Sequence, residues 1–171
     1  MCILSGATTS GGTSFSPIED HLEVQLPSEF VSFLKIHNGQ NSNSEGLLDA
    51  EQLLSTERIA QEWAVWKELL DKGTFIGIYS DPAGGVKNDW WNPKWIPITY
   101  DGSGNHYCID LDPASTGTSG QIIRMWHDEG TRELVAPSFK VWISQYLAEL
   151  KNGQYIYSEE YGGIIDKEYI R

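Results

Sequence analysis

The feature that most constrains the fold is a run of closely spaced strand signals between residues 95 and 136. Four segments carry it, each rich in apolar, β-branched or alternating residues: 95–100 (WIPITY), 106–111 (HYCIDL), 120–127 (GQIIRMWH) and 131–136 (TRELVA). The stretch 101–105 (DGSGN) reads as a hairpin turn between the first two. Because strands joined by short turns pair with their chain neighbours, the sequence predicts an antiparallel meander. Pro97 cannot donate a ladder hydrogen bond, which places its strand at an edge or a bulge.

Amphipathic helices are predicted before and after this meander in the sequence. Short helices open at Ser16 and Ser28, and the longest helix covers about residues 56–72. Its apolar residues fall at i, i+4, i+7 and i+11, which gives one continuous stripe: Ile59, Trp63, Trp66 and Leu70. Ser138 caps a last helix. The segments 74–79 and 155–157 are read as further strands. We therefore expect an α+β fold with a mostly antiparallel central sheet and helices packed against it.

The length of 171 residues fits a single domain. Residues 1–15 are small and polar, so we expect a flexible N-terminal segment there. The α+β domain is assigned to residues 16–157, and residues 158–171 are assigned to a C-terminal tail. Neither an internal repeat nor an interdomain linker is visible in the sequence.

The balance of charge argues against some classes of partner. The chain carries 24 acidic and 12 basic residues, for a net charge of −12. Binding nucleic acid or anionic lipid requires Lys and Arg to neutralise phosphates, so we expect neither nucleic acid nor membrane as a partner. The charge favours a basic protein partner. Alternatively, it only keeps the protein soluble.

The expected location is the cytoplasm. No apolar run approaches the roughly 20 residues that span a bilayer, and the N-terminus lacks the pattern of a secretory signal. The two cysteines, Cys2 in the small, polar N-terminal segment and Cys108 in a predicted strand, do not suggest a disulfide.

One strand pattern resembles a metal site. His106, Cys108 and Asp110 alternate along a predicted strand and so share one face, and all three residue types bind zinc. A fourth ligand would have to come from His37, His127 or an unassigned carboxylate. The favoured alternative is a partly polar sheet face, because no paired ligand motif completes the set. We expect no metal, no cofactor and no catalytic residue, and we keep a metal-dependent hydrolase as an unfavoured hypothesis.

Recognition of a protein is the remaining chemistry. Two adjacent tryptophans lie in a Gly- and Asp-rich loop, and aromatic anchors rimmed by charge are favoured at interfaces. The alternative is that both indoles cover the core. Further aspartates cluster near the hairpin, where Asp112 before Pro113 also suits a turn. The candidate partner-binding residues are Asp81, Asp89, Trp90, Trp91, Asp101, Asp110 and Asp112.

Three motifs, in this order, resemble the SUKH superfamily. They are LPSEFVSFLKIHNGQ at residues 26–40, NPKWIPITYDGSGNHYCIDLDPASTGTSGQII at residues 92–123, and VAPSFKVWISQYL at residues 135–147. Together they cover about residues 18–155. The superfamily includes bacterial immunity proteins and the fungal cell-wall assembly regulators of the Smi/Knr type.

The resemblance implies a compact α+β domain that is not an enzyme. It implies, first, an immunity protein that binds and neutralises a cognate toxin, often a nuclease, by stoichiometric contact. A second hypothesis is a regulatory scaffold of the cell-wall regulator type that binds an endogenous protein. The motifs are scaffold residues, so the toxin, the binding face and the oligomeric state stay open.

Overall fold

The computed structural model of the chain describes residues 4–6, 16–41 and 43–170. Within them the α-helices are α1 Ser16–Leu22, α2 Ser28–Ile36, α3 Thr56–Asp71 and α4 Phe139–Lys151. The strands are β1 Leu4–Gly6, β2 His37–Gln40, β3 Gln52–Leu53, β4 Asp81–Pro82, β5 Trp95–Pro97, β6 Thr99–Tyr100, β7 His106–Asp110, β8 Gln121–Met125, β9 Thr131–Ala136, β10 Tyr155–Ser158 and β11 Gly163–Asp166. A 3-10 helix, Lys167–Tyr169, follows β11. The fold is α+β, which confirms the predicted class.

A five-stranded sheet forms the centre, in the order β4-β9-β8-β7-β5. The pairs from β9 through β5 are antiparallel, as the meander predicts, and β4 joins β9 in parallel. β5 is an edge strand, so Pro97 lies where a missing donor is tolerated. The remaining strands form three two-stranded ladders: β1-β2, β3-β6 and β10-β11.

The long helix α3 covers one face of the central sheet. Ser55 caps it by accepting a hydrogen bond from the Arg58 N–H at 3.3 Å. The predicted stripe is buried at Ile59, Trp63 and Trp66. The Trp66 indole N–H donates to Nε2 of His106 in β7 at 3.2 Å, which ties this helix to the sheet.

Helix α4 covers the opposite face. Tyr107 follows His106 in β7, so its side chain points the other way, and its ring lies 4.9 Å from that of Trp142 in α4. Ser138 caps α4 by accepting from the Val141 N–H at 3.2 Å, as predicted. Phe139 packs 4.9 Å from Phe30 of α2, which extends this layer.

The structure departs from the sequence prediction near residue 75. The strand predicted over residues 74–79 is wrong: turns follow α3, with positive φ at Gly73 and Gly77. Such φ values interrupt extended backbone. The turns leave Ile76 86% and Tyr79 72% exposed.

The two ends of the chain carry elements that the sequence analysis did not assign. Residues 163–169, assigned to a tail, form β11 and the 3-10 helix. Leu4–Gly6 pairs with β2. The rest of residues 1–15 lies outside the described part of the chain, and flexibility there stays a prediction.

Candidate functional site

A cleft of about 700 Å³ opens between the α4 side of the sheet and the β10-β11 hairpin. This volume lies in the range of small-molecule and side-chain binding sites. We call it the central cleft, and its lining residues are Asp49, Ala50, Glu51, Tyr107, Arg124, Trp126, Glu133, Glu160, Tyr161, Ile165, Glu168, Tyr169 and Ile170.

A row of cross-strand neighbours runs from the floor of the central cleft to its rim at Glu133. Tyr107 of β7 pairs with Arg124 of β8, and Arg124 pairs with Glu133 of β9. Directly opposed residues share one face of an antiparallel sheet, so the three side chains lie side by side. Trp126 comes two residues after Arg124 and adds its ring to the same face.

One wall is a tight turn over residues 48–51. The Glu51 N–H donates to the Leu48 carbonyl at 2.8 Å, and the Leu48 N–H donates back to the Glu51 carbonyl at 3.2 Å. The two central residues have positive φ, 51° at Asp49 and 58° at Ala50. Two consecutive positive φ values define a type I′ turn, which suits Asp but strains Ala. The turn delivers Glu51 into the cleft.

The other wall is the C-terminal hairpin, which is docked on the same loop. The Ile164 N–H donates to the Gly46 carbonyl at 2.9 Å, and the Gly46 N–H donates to the Gly162 carbonyl at 3.0 Å. The Ala50 N–H adds a bond of 2.8 Å to the Ile164 carbonyl. These bonds place Glu160, Tyr161 and the following 3-10 helix opposite the sheet.

A buried ion pair lies at the base of the central cleft. Glu51 is 2% exposed and Arg124 7% exposed, and their side chains form an ion pair. Glu51 also accepts a hydrogen bond from the Thr99 hydroxyl at 2.6 Å. The Arg124 guanidinium carbon lies 4.6 Å from the ring centre of Tyr107 and 4.1 Å from that of Trp126. Arg124 is therefore fixed by a carboxylate and two aromatic faces.

Burial dominates the electrostatics of this pair. It raises the pKa of Glu51 from 4.5 to about 7, against the opposing effect of the Arg124 charge and the Thr99 hydrogen bond. The pKa of Tyr107 is also raised, by burial and by the Asp49 carboxylate. This carboxylate accepts a hydrogen bond from the Tyr107 hydroxyl at 2.6 Å. The base of the cleft is therefore a buried polar network in which Glu51 gains or loses its proton near pH 7.

The rim is acidic and aromatic. Glu133, Glu160 and Glu168 are exposed. Tyr161 is 48% and Tyr169 66% exposed. Among the described residues, five carboxylate side chains and one guanidinium line the cleft, so the described lining carries a net negative charge. The rim can offer carboxylates and ring faces together to a ligand.

The predicted tryptophans lie elsewhere and serve the core. Trp91 is 3% exposed and stacks on Trp66 with ring centres 6.3 Å apart. Trp90 is half-buried and lies 5.1 Å from the guanidinium carbon of Arg132, which donates to the Trp90 carbonyl at 2.7 Å. Both tryptophans therefore pack against the core, which agrees with the alternative stated above that these indoles cover it.

The predicted aspartates are engaged in local structure. Asp101 accepts from the Ser103 N–H at 2.8 Å within its own turn. Asp110 is fully buried and accepts from Gln121 at 2.8 Å. Asp89 and Asp112 both accept hydrogen bonds from Asn92, whose Nδ2 lies 2.8 Å from Asp89 and 3.0 Å from Asp112.

Asp81 is exposed and pairs with Thr131 through the β4-β9 ladder. None of the seven candidate residues is among those that line the central cleft. Their contact with a partner stays a prediction.

The strand trio shares one face as predicted, but His106 and Asp110 are engaged in hydrogen bonds and Cys108 is buried. His106 Nδ1 lies 2.6 Å from the Thr99 carbonyl, which only accepts, so Nδ1 carries the proton and Nε2 accepts from Trp66. Burial lowers the pKa of His106 to about 4 and raises the pKa of the Cys108 thiol. No group of three or more His, Cys, Asp or Glu placed to hold a metal ion occurs in the described part of the chain.

Sequence reasoning missed the central cleft itself. The one local signal was Arg124, a charge in the middle of the otherwise apolar run GQIIRMW. A lone charge in a strand that is otherwise buried needs a buried partner. That partner, Glu51, is distant in the sequence, so the pair could not be identified from spacing.

Comparison with known proteins identifies similar sequences. The model of the SMI1 / KNR4 family (SUKH-1) matches residues 13–145. The "Cell wall biosynthesis/cell cycle regulator smi1" of Schizosaccharomyces pombe is 30% identical over 169 residues, covering 91% of this chain and 33% of the relative.

Two other relatives have related names. The "Glucan synthesis regulatory protein" of Neurospora crassa is 25% identical, covering 84% of this chain and 34% of its own length. The "Cell wall assembly regulator SMI1" of Saccharomyces cerevisiae is 24% identical, covering 80% of this chain and 34% of its own length. The chain thus spans about a third of the length of these relatives. Among the described residues, no helix is long and apolar enough to cross a membrane.

Proposed function

Because the chain belongs to the SMI1 / KNR4 family (SUKH-1), we propose that it is a regulatory protein-binding domain that acts in cell-wall assembly. It would act by stoichiometric contact with an endogenous protein, without a cofactor and without catalysis. The observation that carries the proposal is the match of 91% of this chain to a relative named as a cell-wall and cell-cycle regulator. The two further relatives above are also named as regulators.

The central cleft is the surface we propose for this contact. It joins a polar base to an exposed rim with tyrosine rings, which protein interfaces favour, and with carboxylates, which suit a partner of opposite charge. A second opening of about 640 Å³, between residues 43–46 and β10-β11, has no buried charged residue among its lining. The proposal includes a cytoplasmic location, which the unpaired, buried Cys108 favours.

The immunity hypothesis is the less supported of the two. The acidic charge of −12 suits a basic toxin, but none of the relatives above is named for immunity. The two hypotheses differ in their genetics. An immunity protein protects only cells that contain the cognate toxin, whereas a wall regulator is needed in cells without one.

The test is deletion of the chromosomal gene in cells without a cognate toxin, followed by measurement of wall strength. We expect faster lysis by a glucan-digesting enzyme, and recovery when the wild-type gene is restored. Unchanged lysis would contradict a wall function, and protection confined to cells that express a neighbouring toxin gene would favour immunity instead.

A photocrosslinker at Tyr161, in the rim, tests the surface. We expect a partner adduct of one defined mass at this position and none at the matched control Tyr79, which is exposed in the loop after α3. Adducts at Tyr79 alone would move the contact away from the central cleft.

A further inference from the structure

We infer that the central cleft takes a basic peptide segment of the partner, with an Arg or Lys side chain seated at its acidic rim. An apolar residue beside that side chain would cover the exposed tyrosines. This inference rests on the proposed function and names the chemistry of the partner that the cleft selects. No contact with a second copy of the chain is needed for it.

The first support is the state of the rim carboxylates. Glu133, Glu160 and Glu168 approach from three different elements: β9, the hairpin and the 3-10 helix. No described residue forms an ion pair with any of them. A cation in this opening would be attracted by all three carboxylates. A guanidinium or ammonium group is the side chain that fits.

The second support is that Arg124, the one guanidinium among the described residues that line the cleft, is already engaged. Arg124 is 7% exposed, ion-paired with Glu51 and stacked between Tyr107 and Trp126. Because it is buried, it offers little surface to an incoming phosphate or carboxylate. An anionic ligand would also face the five carboxylates of the lining. Both facts select a cationic ligand and disfavour phosphopeptides and nucleic acid.

The third support is exposed apolar surface on the same rim. Tyr169 is 66%, Tyr161 48% and Ile170 40% exposed, and all three line the cleft. Tyrosine offers a large ring with a polar tip, which makes it a favoured interface residue. A free guanidinium would leave these side chains uncovered, whereas a peptide can cover them. The ligand is therefore a peptide segment and not a small cation.

The experiment measures binding of three labelled peptides of equal length to the whole chain at low salt. The probes are Gly-Leu-Arg-Arg-Leu-Gly and its counterparts with Gln or Glu in place of both Arg. We expect saturable binding of the Arg peptide alone, weakened by added salt. Equal binding of the Gln peptide, or preference for the Glu peptide, would overturn the inference.

Charge variants locate the site. The triple variant Glu133→Gln, Glu160→Gln, Glu168→Gln should weaken binding of the Arg peptide by roughly tenfold, since each exposed pair contributes little alone. The matched control Glu57→Gln, Glu68→Gln, Glu129→Gln removes the same charge from exposed positions outside the cleft, and we expect less than about a twofold change. An equal loss in both variants would show that only overall acidity attracts the peptide, and the cleft would not be the site.

Aromatic variants test the apolar part. Tyr169→Ser should weaken binding of the Arg peptide by roughly fivefold, and Tyr79→Ser, of similar exposure, should leave it unchanged. Thermal unfolding of each variant confirms that it is folded. Weakening by Tyr79→Ser alone would overturn the placement.

The two proposals fail in different ways. If the triple rim variant loses the peptide but deletion of the gene leaves the wall intact, the site stands and the wall function fails. If deletion weakens the wall and the triple rim variant restores it fully, the wall function stands and the inference about the cleft fails.

Discussion

Replacing Glu51 with glutamine tests whether burial or ion pairing controls the base of the central cleft. Burial raises the pKa of Glu51 to about 7, so the folded chain keeps this proton after the unfolded chain, with a pKa near 4.5, has lost it. A raised pKa in the folded state contributes stability that is fully present below pH 4.5 and is lost as the pH rises through 7. Glu51→Gln keeps the shape and removes the titration.

The size of the effect follows from the two pKa values. They differ by about 2.5, and each pKa unit corresponds to 1.36 kcal/mol, so the wild type should lose about 3 kcal/mol relative to Glu51→Gln between pH 4 and pH 8. The loss is expected because the ionised carboxylate is desolvated more than Arg124 compensates. The variant retains an acceptor for the Thr99 hydroxyl.

The assay is urea unfolding of both proteins, followed by tryptophan fluorescence at half-unit steps from pH 4 to pH 8. Other titrating groups, His106 among them, are present in both proteins and cancel in the difference. A difference in unfolding free energy that is independent of pH would refute the reasoning. A wild type that gains stability relative to the variant as pH rises would show that the attraction of Arg124 outweighs burial.

Three further variants test local features by stability measurements. Because burial lowers the pKa of His106 from 6.5 to about 4, the wild type should gain about 3 kcal/mol relative to His106→Gln between pH 4 and pH 6.5. A difference in urea unfolding that stays constant with pH would contradict this reasoning. Ala50 has a φ of 58°, which strains a residue with a Cβ. Ala50→Gly should remove this strain and raise the Tm measured by calorimetry by roughly 2–4 °C, and a lower Tm would argue against the strain. Ser138→Ala should lower the free energy of unfolding by about 1 kcal/mol, because the cap to the Val141 N–H is lost. Urea unfolding measures this, and the control Ser144→Ala, at an exposed position inside the same helix, should not lower the stability of the protein.

The fold was predictable where its determinants are local. The alternating residues of β7 and the turn before them lie within about a dozen residues of sequence. The apolar stripe of α3 lies within a single helix. Pro97 placed its strand at the edge because a missing donor excludes the centre. The segment 74–79 misled because its apolar residues suit a strand, while its flanking and central glycines adopt positive φ.

The candidate site was not predictable because distant segments assemble it. Glu51 and Arg124 come into contact only when the tight turn packs on β8. The rim depends on the β10-β11 hairpin, and the sequence predicted only the first of its two strands. The turn carries Asp-Ala in place of the Asn-Gly or Asp-Gly that signals a type I′ turn, so it gave no local signal. Trp91 shows a different limit: its burial depends on the long-range contact with Trp66, which the sequence around Trp91 does not reveal.

The way the C-terminal hairpin is attached has a consequence for how this scaffold diversifies. Three of the bonds that dock it use backbone N–H and carbonyl groups. Among these backbone contacts a glycine is required at Gly46 and Gly163, where an added Cβ would collide with the opposing backbone. The exposed side chains of Glu160 and Tyr161, which the hairpin presents toward the opening, are therefore exchangeable without redesign of the joint. Substitutions at these two positions would change the charge and the ring area offered to a ligand and leave the backbone attachment intact.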